Sequence, residues 1–257
     1  MTTTVVDLVN KLITADTRWS CVLKLSDGNK YVVYCDETGF HKISVIGKAA
    51  LVTAGHGPLI AEWKEWWAGT ANLANKPQSE IDGENVVNLA IVDLERNSVI
   101  FDAGAKQILY CTVSDSVKAF ASGSGSHHAA SYLMQNSCAK GAIGYAAKND
   151  ICTGNEVTFA CYKSNQNNLN NHISDYNVIS NGIINRGKIM ALDIQKPNAN
   201  GVDLNNHPLS EEVKELFTTG KAVASAPVPG ISSFKWTKEV DRKLESAMKR
   251  VHELRNK

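Results

Sequence analysis

The chain has 257 residues, 43% of them hydrophobic, with 27 basic against 26 acidic residues for a formal net charge of +1. That length and apolar content are enough to bury a large core, and the balanced charge gives no reason to expect a nucleic acid or an anionic membrane as partner. No apolar run approaches the roughly 20 residues that span a bilayer, no secretory signal is expected, and six cysteines without Cys-x-x-Cys spacing predict reduced, mostly buried thiols in a cytoplasmic protein.

From the N-terminus the pattern predicts short strands joined by tight turns. Residues 3–8 and 12–17 form a hairpin about Val9-Asn10-Lys11. Residues 20–25 and 31–35 flank Ser26-Asp27-Gly28-Asn29, a cluster of turn formers. Residues 42–46 and 49–53 are two more strands. Pro58 then opens a helix, proline being suited to a first helical turn. Leu59, Ile60, Trp63, Trp66 and Trp67 recur at helical spacing, with the tryptophans as core or interface anchors. Residues 86–93 and 99–102 form a hairpin turned at Glu95-Arg96-Asn97, and residues 108–113 extend the sheet. A short strand ending at Phe120 runs into Ala121-Ser122-Gly123-Ser124-Gly125-Ser126. Two consecutive helices follow at 127–134 and 139–150, then a strand at 157–162 and an Asn-rich loop or insertion at 164–172. Residues 196–207 read as a linker. The last twenty residues are an amphipathic helix with Val240, Leu244, Met248, Val251 and Leu254 on one face. Blocks of strands around two adjacent helices predict a layered α+β protein.

Three short segments carry chemistry. Met1 precedes a small residue, Thr2. Removal of the initiator would leave an α-amine and a hydroxyl on one residue, the minimal equipment of an N-terminal nucleophile. Ala15-Asp16-Thr17-Arg18 adds a carboxylate and a guanidinium. The glycine-serine stretch at 121–126 is a strand-to-helix turn that lets the backbone approach a neighbour and aims N–H groups and hydroxyls at one place. It lacks the Gly-Lys-Ser/Thr of a phosphate-binding loop and the three-glycine dinucleotide spacing; its other reading is a flexible turn with a serine cap. Asp150 stands at a predicted helix C-terminus, where negative charge is unfavourable, so a hydrogen-bond network or a nearby cation is expected there. His127 and His128, adjacent at a helix start, are read as non-catalytic, and no metal site is expected.

In order and spacing these segments resemble the proteasome β-subunits and their bacterial heat-shock peptidase relatives. Thr2-Thr3-Thr4-Val5-Val6 and then Ala15-Asp16-Thr17-Arg18 match the family opening. Lys42, in Phe40-His41-Lys42-Ile43-Ser44-Val45-Ile46, matches the family lysine, and Gly55 ends the next strand. Gly123-Ser124-Gly125 matches the turn before the central helix, and Asp150-Ile151-Cys152-Thr153-Gly154 the motif after the second helix. The resemblance covers residues 2–165. It implies a four-layer αββα sandwich of the N-terminal nucleophile hydrolase type over residues 1–195, with 196–257 as a linker and C-terminal helical extension.

The implied activity is that of a threonine-nucleophile amidohydrolase, a proteasome-like peptidase. Thr2 would be nucleophile and, through its amine, base. Lys42 would lower the pKa of both, and Asp16 would hold Lys42 charged. The Gly55 N–H would bind the oxyanion, and Ser124, Asp150 and Thr153 would form a network around the amine. His56 and Arg18 would line the substrate site. No cofactor is implied. The implied partners are a peptide or protein substrate, further copies in a homo-oligomer, and an ATP-dependent unfoldase. The homo-oligomer contacts are expected on the Trp63–Trp67 helix, with the tail docked on its own subunit or exchanged. The sequence departs from the family in a shorter first hairpin, an added hairpin near Asp27-Gly28, Asn155 in place of a second glycine, and segments 165–172 and 196–257 without counterpart. The alternative is a catalytically silent protein of the same fold that binds a protein partner through its tail and tryptophan-bearing helix.

Overall fold

In the computed structural model, which describes residues 2–69, 71–170, 172–192, 200–226 and 228–255, the chain opens with the expected hairpin. Threonine and valine dominate β1 (Thr3–Asp7), residues that suit a pleated surface, and β2 (Leu12–Asp16) returns beside it. β3 (Trp19–Lys24) and β4 (Lys30–Cys35) form the second hairpin, and β5 (Ile43–Ile46) and β6 (Ala49–His56) the third. α1 (Gly57–Ala68) begins with Pro58 in its first turn. A small ribbon, β7 (Glu80–Ile81) with β8 (Glu84–Asn85), precedes the hairpin of β9 (Val87–Asp93) and β10 (Ser98–Ala103). β11 (Gln107–Cys111) pairs with β12 (Ser116–Gly123), which runs past Phe120 into the glycine-serine stretch. α2 (Ser126–Asn136) and α3 (Ala139–Asn149) follow, then β13 (Val157–Cys161) and β14 (Gln166–Asn167). The rest comprises α4 (Asn177–Arg186), β15 (Lys188–Ala191), β16 (Val202–Asp203), α5 (Ser210–Thr218), β17 (Ser225–Ala226) and α6 (Lys238–Arg255).

The architecture is mixed α+β with antiparallel sheets. One sheet runs β11-β12-β1-β2-β13-β14; the larger runs β10-β9-β6-β17-β3-β4-β15-β16, with β5 also on β6. The period of two in a strand decides which side chains meet. Val6, Ile13, Phe120 and Ala160 of the first sheet share a cluster with Ile43, Ala50, Val52 and Val92 of the second. The alternate residues, Val5, Ala119 and Ala121, instead meet Ala129, Leu133, Ile143 and Ala146 of α2 and α3. Leu51 and Trp19, on the far face of the larger sheet, lie in the largest cluster with Trp63 and Trp67 of α1, Ile179 and Ile183 of α4, Phe217 of α5 and Leu244 and Val251 of α6.

Several expectations change here. The division at 195/196 falls within residues 193–199, outside the described residues, as do positions 196–199 of the expected linker. Beyond it the chain is no separate unit, because its apolar residues fill the face of the larger sheet. Leu204, Val213, Phe217, Ala224, Ala226, Leu244 and Leu254 are all buried in the same cores, and β16 and β17 pair with the sheet itself. The tail is docked on its own chain: Arg250 donates to Asp93 at 2.7 Å and to Glu95 at 2.6 Å. Trp63, Trp66 and Trp67 are buried inside the chain, so they are core side chains. The cysteines were expected to be mostly buried, but only Cys35 and Cys152 are, and Cys138 is exposed. Among the described residues no helix is long and apolar enough to cross a membrane.

Candidate active site

Thr2 stands just before β1, the strand flanked by β12 and β2. The register sets Thr3 opposite Gly123 and Thr4 opposite Ala15. The end of β12 and the end of β2 therefore meet at Thr2. Gly123 has φ +100°, and a Cβ there would lie 2.0 Å from the Thr2 carbonyl oxygen. Only glycine suits that backbone and that approach.

Asp16 is the hub. Its Oδ1 accepts the Thr2 hydroxyl at 2.5 Å, the Thr3 N–H at 2.7 Å and the Lys42 ammonium at 2.9 Å. Its Oδ2 accepts the N–H groups of Arg18 and Gly154, each at 3.0 Å. Lys42 directs its other two hydrogens to the carbonyls of Asp16 (2.9 Å) and Arg18 (2.7 Å). Both side chains of the pair are fully buried. Burial pulls the Lys42 pKa below the usual lysine range, and the Asp16 charge opposes that fall. Lys42 thus reaches the Thr2 hydroxyl through a shared carboxylate oxygen.

A second network surrounds the Thr2 carbonyl. Asp150 caps α3, and its Oδ2 accepts from Thr153 Oγ1 at 2.6 Å and from Ser124 Oγ. Ser124 Oγ is also 3.4 Å from the Thr2 carbonyl oxygen, as is the Gly125 N–H. Thr153 Oγ1 is 2.7 Å from Thr3 Oγ1. The helix-terminal carboxylate expected to need partners has two hydroxyls and the Cys152 N–H, at 3.1 Å. The predicted residues Thr2, Asp16, Lys42, Ser124, Asp150 and Thr153 are therefore drawn into two adjoining hydrogen-bond networks.

The two expected substrate-lining residues are placed differently. Arg18 is buried, with its guanidinium forked onto Asp36 at 2.8 Å on each arm, a third bond to the Ile151 carbonyl at 2.7 Å, and Tyr34 beneath it. With every arm engaged it is a structural tie between β2, β4 and the Asp150 turn. His56 is half-buried beside Gly55; burial lowers its pKa, and its Nδ1 is enclosed with no hydrogen-bond partner among the described residues. Gly55 has φ +121°, and a Cβ there would lie 2.1 Å from the Val86 carbonyl oxygen. That backbone approach accounts for the glycine, whatever ligand its N–H serves.

Sequence reasoning missed Thr3 and Asp36, whose roles depend on pairing across 150 and 18 positions. It also missed Lys64 on α1, a buried lysine that donates to the His41 carbonyl at 2.8 Å over the Phe40 ring. Burial lowers its pKa from 10.5 to about 7. Lys64, His41 and His172 line a cavity of about 190 Å³. Among the described residues no group of three or more His, Cys, Asp or Glu is placed to hold a metal ion.

No model of a known protein family matches the chain, and no curated protein matches it.

Proposed function

We propose that the protein is a threonine-nucleophile amidohydrolase resembling the proteasome β-subunits, acting on peptide bonds once Thr2 is the first residue. The observation that carries this is the pair of contacts that Thr2 Oγ1 and Lys42 Nζ make to the same Asp16 oxygen, 2.5 Å and 2.9 Å, closed from bulk water. The sequence of two sheets in contact, each with helices on its outer face, supports a four-layer αββα sandwich of the N-terminal nucleophile hydrolase type.

In this reading the free Thr2 amine, with an ordinary pKa of about 8, takes the proton of its own hydroxyl. The oxygen attacks an amide carbonyl, and the Gly55 N–H receives the developing oxyanion. Collapse transfers the proton to the departing amine and leaves an ester on Thr2, which water hydrolyses. Lys42, charged and held by Asp16, lowers the pKa of the hydroxyl and amine through its field. A cytoplasmic homo-oligomer supplied with unfolded protein by an ATP-dependent unfoldase follows from the resemblance.

Two observations favour a second reading, a catalytically silent protein of this fold that binds a partner. Thr2 is wholly buried, and the Gly55–His56 edge is already paired with β17. Met1 lies outside the described residues. Intact mass after incubation with an electrophilic peptide decides between the two. The expected result is a chain starting at Thr2 that gains one adduct, with none on a folded Thr2→Ala variant. A chain retaining Met1 and gaining no adduct would sink the enzyme and leave the binding protein.

A further inference from the structure

β6 has β9 along one edge. Its other edge is shared end to end. β5 covers it from Ala49 to Val52, the Thr53 N–H bonds the Lys42 carbonyl at 2.9 Å, and β17 covers Gly55 and His56. β17 is also antiparallel to β3, with Ser225 opposite Ser20. Adjacent strands lie about 4.8 Å apart, so β3 and β6 stand roughly 9–10 Å apart where β17 separates them. Without β17 this stretch is a slot one strand wide, walled by the Gly55–His56 backbone and by Ser20. Lys42 marks its end nearest Thr2.

The segment that fills the slot has the character of a bound peptide. It arrives more than 160 positions after the strands on either side. Among its described residues only Ser225 and Ala226 are strand. Ala222, Ala224, Ala226 and Val228 alternate, and all four are buried in the main core, so the inward subsites accept small apolar side chains at every second position. The Ala224 N–H is anchored by the Tyr176 hydroxyl at 2.8 Å. A Cβ at Gly57 would lie 2.4 Å from the Ala224 carbonyl oxygen, so the opening of α1 is shaped to this backbone.

We propose that residues 222–226 are a tethered occupant of a peptide-binding slot between β3 and β6. Its displacement admits an extended peptide with small apolar residues at alternate positions, bound by strand addition. The inference deepens the amidohydrolase reading and rests on it for the role of Gly55, while the slot itself requires only binding. In the closed state the Gly55 edge is engaged by the chain's own strand, and the site is latent.

Two measurements on the full chain test this. In hydrogen exchange, the amides of residues 222–226 should exchange at least 100-fold faster than those of Leu51 and Val52 on β6, because the occupant opens without the sheet. In fluorescence anisotropy, a fluorescein-labelled synthetic peptide copying residues 221–230 should bind a Ser225→Pro chain at least ten times tighter than the wild type, since proline has no N–H to hold β17 in place. The same peptide with lysine at the positions of Ala224 and Ala226 should not bind. Exchange at 222–226 as slow as at Leu51 overturns the proposal, as does unchanged peptide affinity in a folded Ser225→Pro chain. The exchange measurement needs no variant, so it decides if Ser225→Pro does not fold. Peptide capture without hydrolysis would uphold the slot and refute the amidohydrolase, so the two readings fail separately.

Discussion

Lys42 and Lys64 are both buried lysines, but their surroundings give them opposite consequences. Lys42 faces a carboxylate and two carbonyls. Lys42→Ala should therefore act twice: any peptide hydrolysis should fall by orders of magnitude, and loss of the buried cation should destabilise the fold by about 3–5 kcal/mol, because Asp16 is left buried without its partner. Lys42→Arg should not restore activity, since a planar guanidinium cannot address three acceptors set around a compact ammonium. Hydrolysis rates and urea unfolding measured on both variants check this; activity within a few-fold of wild type in Lys42→Ala would remove lysine from the mechanism. Lys64 has no carboxylate beside it among the described residues, and burial lowers its pKa to about 7. The unfolded chain binds the Lys64 proton more tightly, so native stability should rise as pH climbs from about 7 toward the ordinary lysine range. Lys64→Met should accordingly stabilise the protein near pH 6, by at least about 1 kcal/mol on the scale of one pKa unit per 1.4 kcal/mol. The advantage should shrink at pH 10, as urea unfolding at both pH values would reveal. Asp16, Lys42, Ser124 and Asp150 were legible as a set because motif order carries them. Arg18 was misread because its partner, Asp36, shares no motif with it.

At the scale of elements, what the sequence discloses depends on how much periodicity an element has. β1, β2, α1 and α6 have several turns or alternations each, and their expected bounds differ from the observed ones by a residue or two. α4 was not legible: Asn177, Asn181, Gly182 and Asn185 are poor helix formers, and only Ile179 and Ile183, four apart and buried, mark its inward face. β17 was illegible in the sequence, being two residues long within Ala222-Val223-Ala224-Ser225-Ala226, with its strand character supplied by neighbours on both sides. The packing of α6 gives a sharp expectation. Leu244, Ala247, Met248, Val251 and Leu254 are buried in the main core, and Gly47 has no room for a Cβ against the Leu254 carbonyl, 2.3 Å away. Deleting residues 236–257 should therefore cost the cooperative fold, seen as loss of a sigmoidal thermal transition. A truncated chain that melts like the full one would show that α6 is dispensable.

For the whole molecule, the α1 tryptophans belong to the core, and another surface has the character of a contact between copies. β11 is an outer strand of the first sheet, and its Ile108 and Tyr110 are exposed beside Met134 of α2, around a groove of about 550 Å³. An apolar outer strand is a ready template for pairing. If the protein forms the homo-oligomer its resemblance implies, Ile108→Glu should shift it toward monomer in analytical ultracentrifugation, while Trp66→Ala should lower stability without changing assembly. A monomeric wild type at high micromolar concentration would remove the homo-oligomer from the proposed function.

The place of β17 also sets a timetable for synthesis. Ser20 and Ser225 are neighbours in the sheet yet 205 positions apart, and at about 5–20 residues per second the ribosome needs roughly 10–40 s to deliver the second after the first. Throughout that interval the growing chain carries β3 and β6 with their facing edges incompletely paired, a condition that invites capture by other nascent strands. Expression yield should therefore depend on holdase chaperones acting on chains shorter than about 225 residues, and slowing translation should widen the window for misassembly.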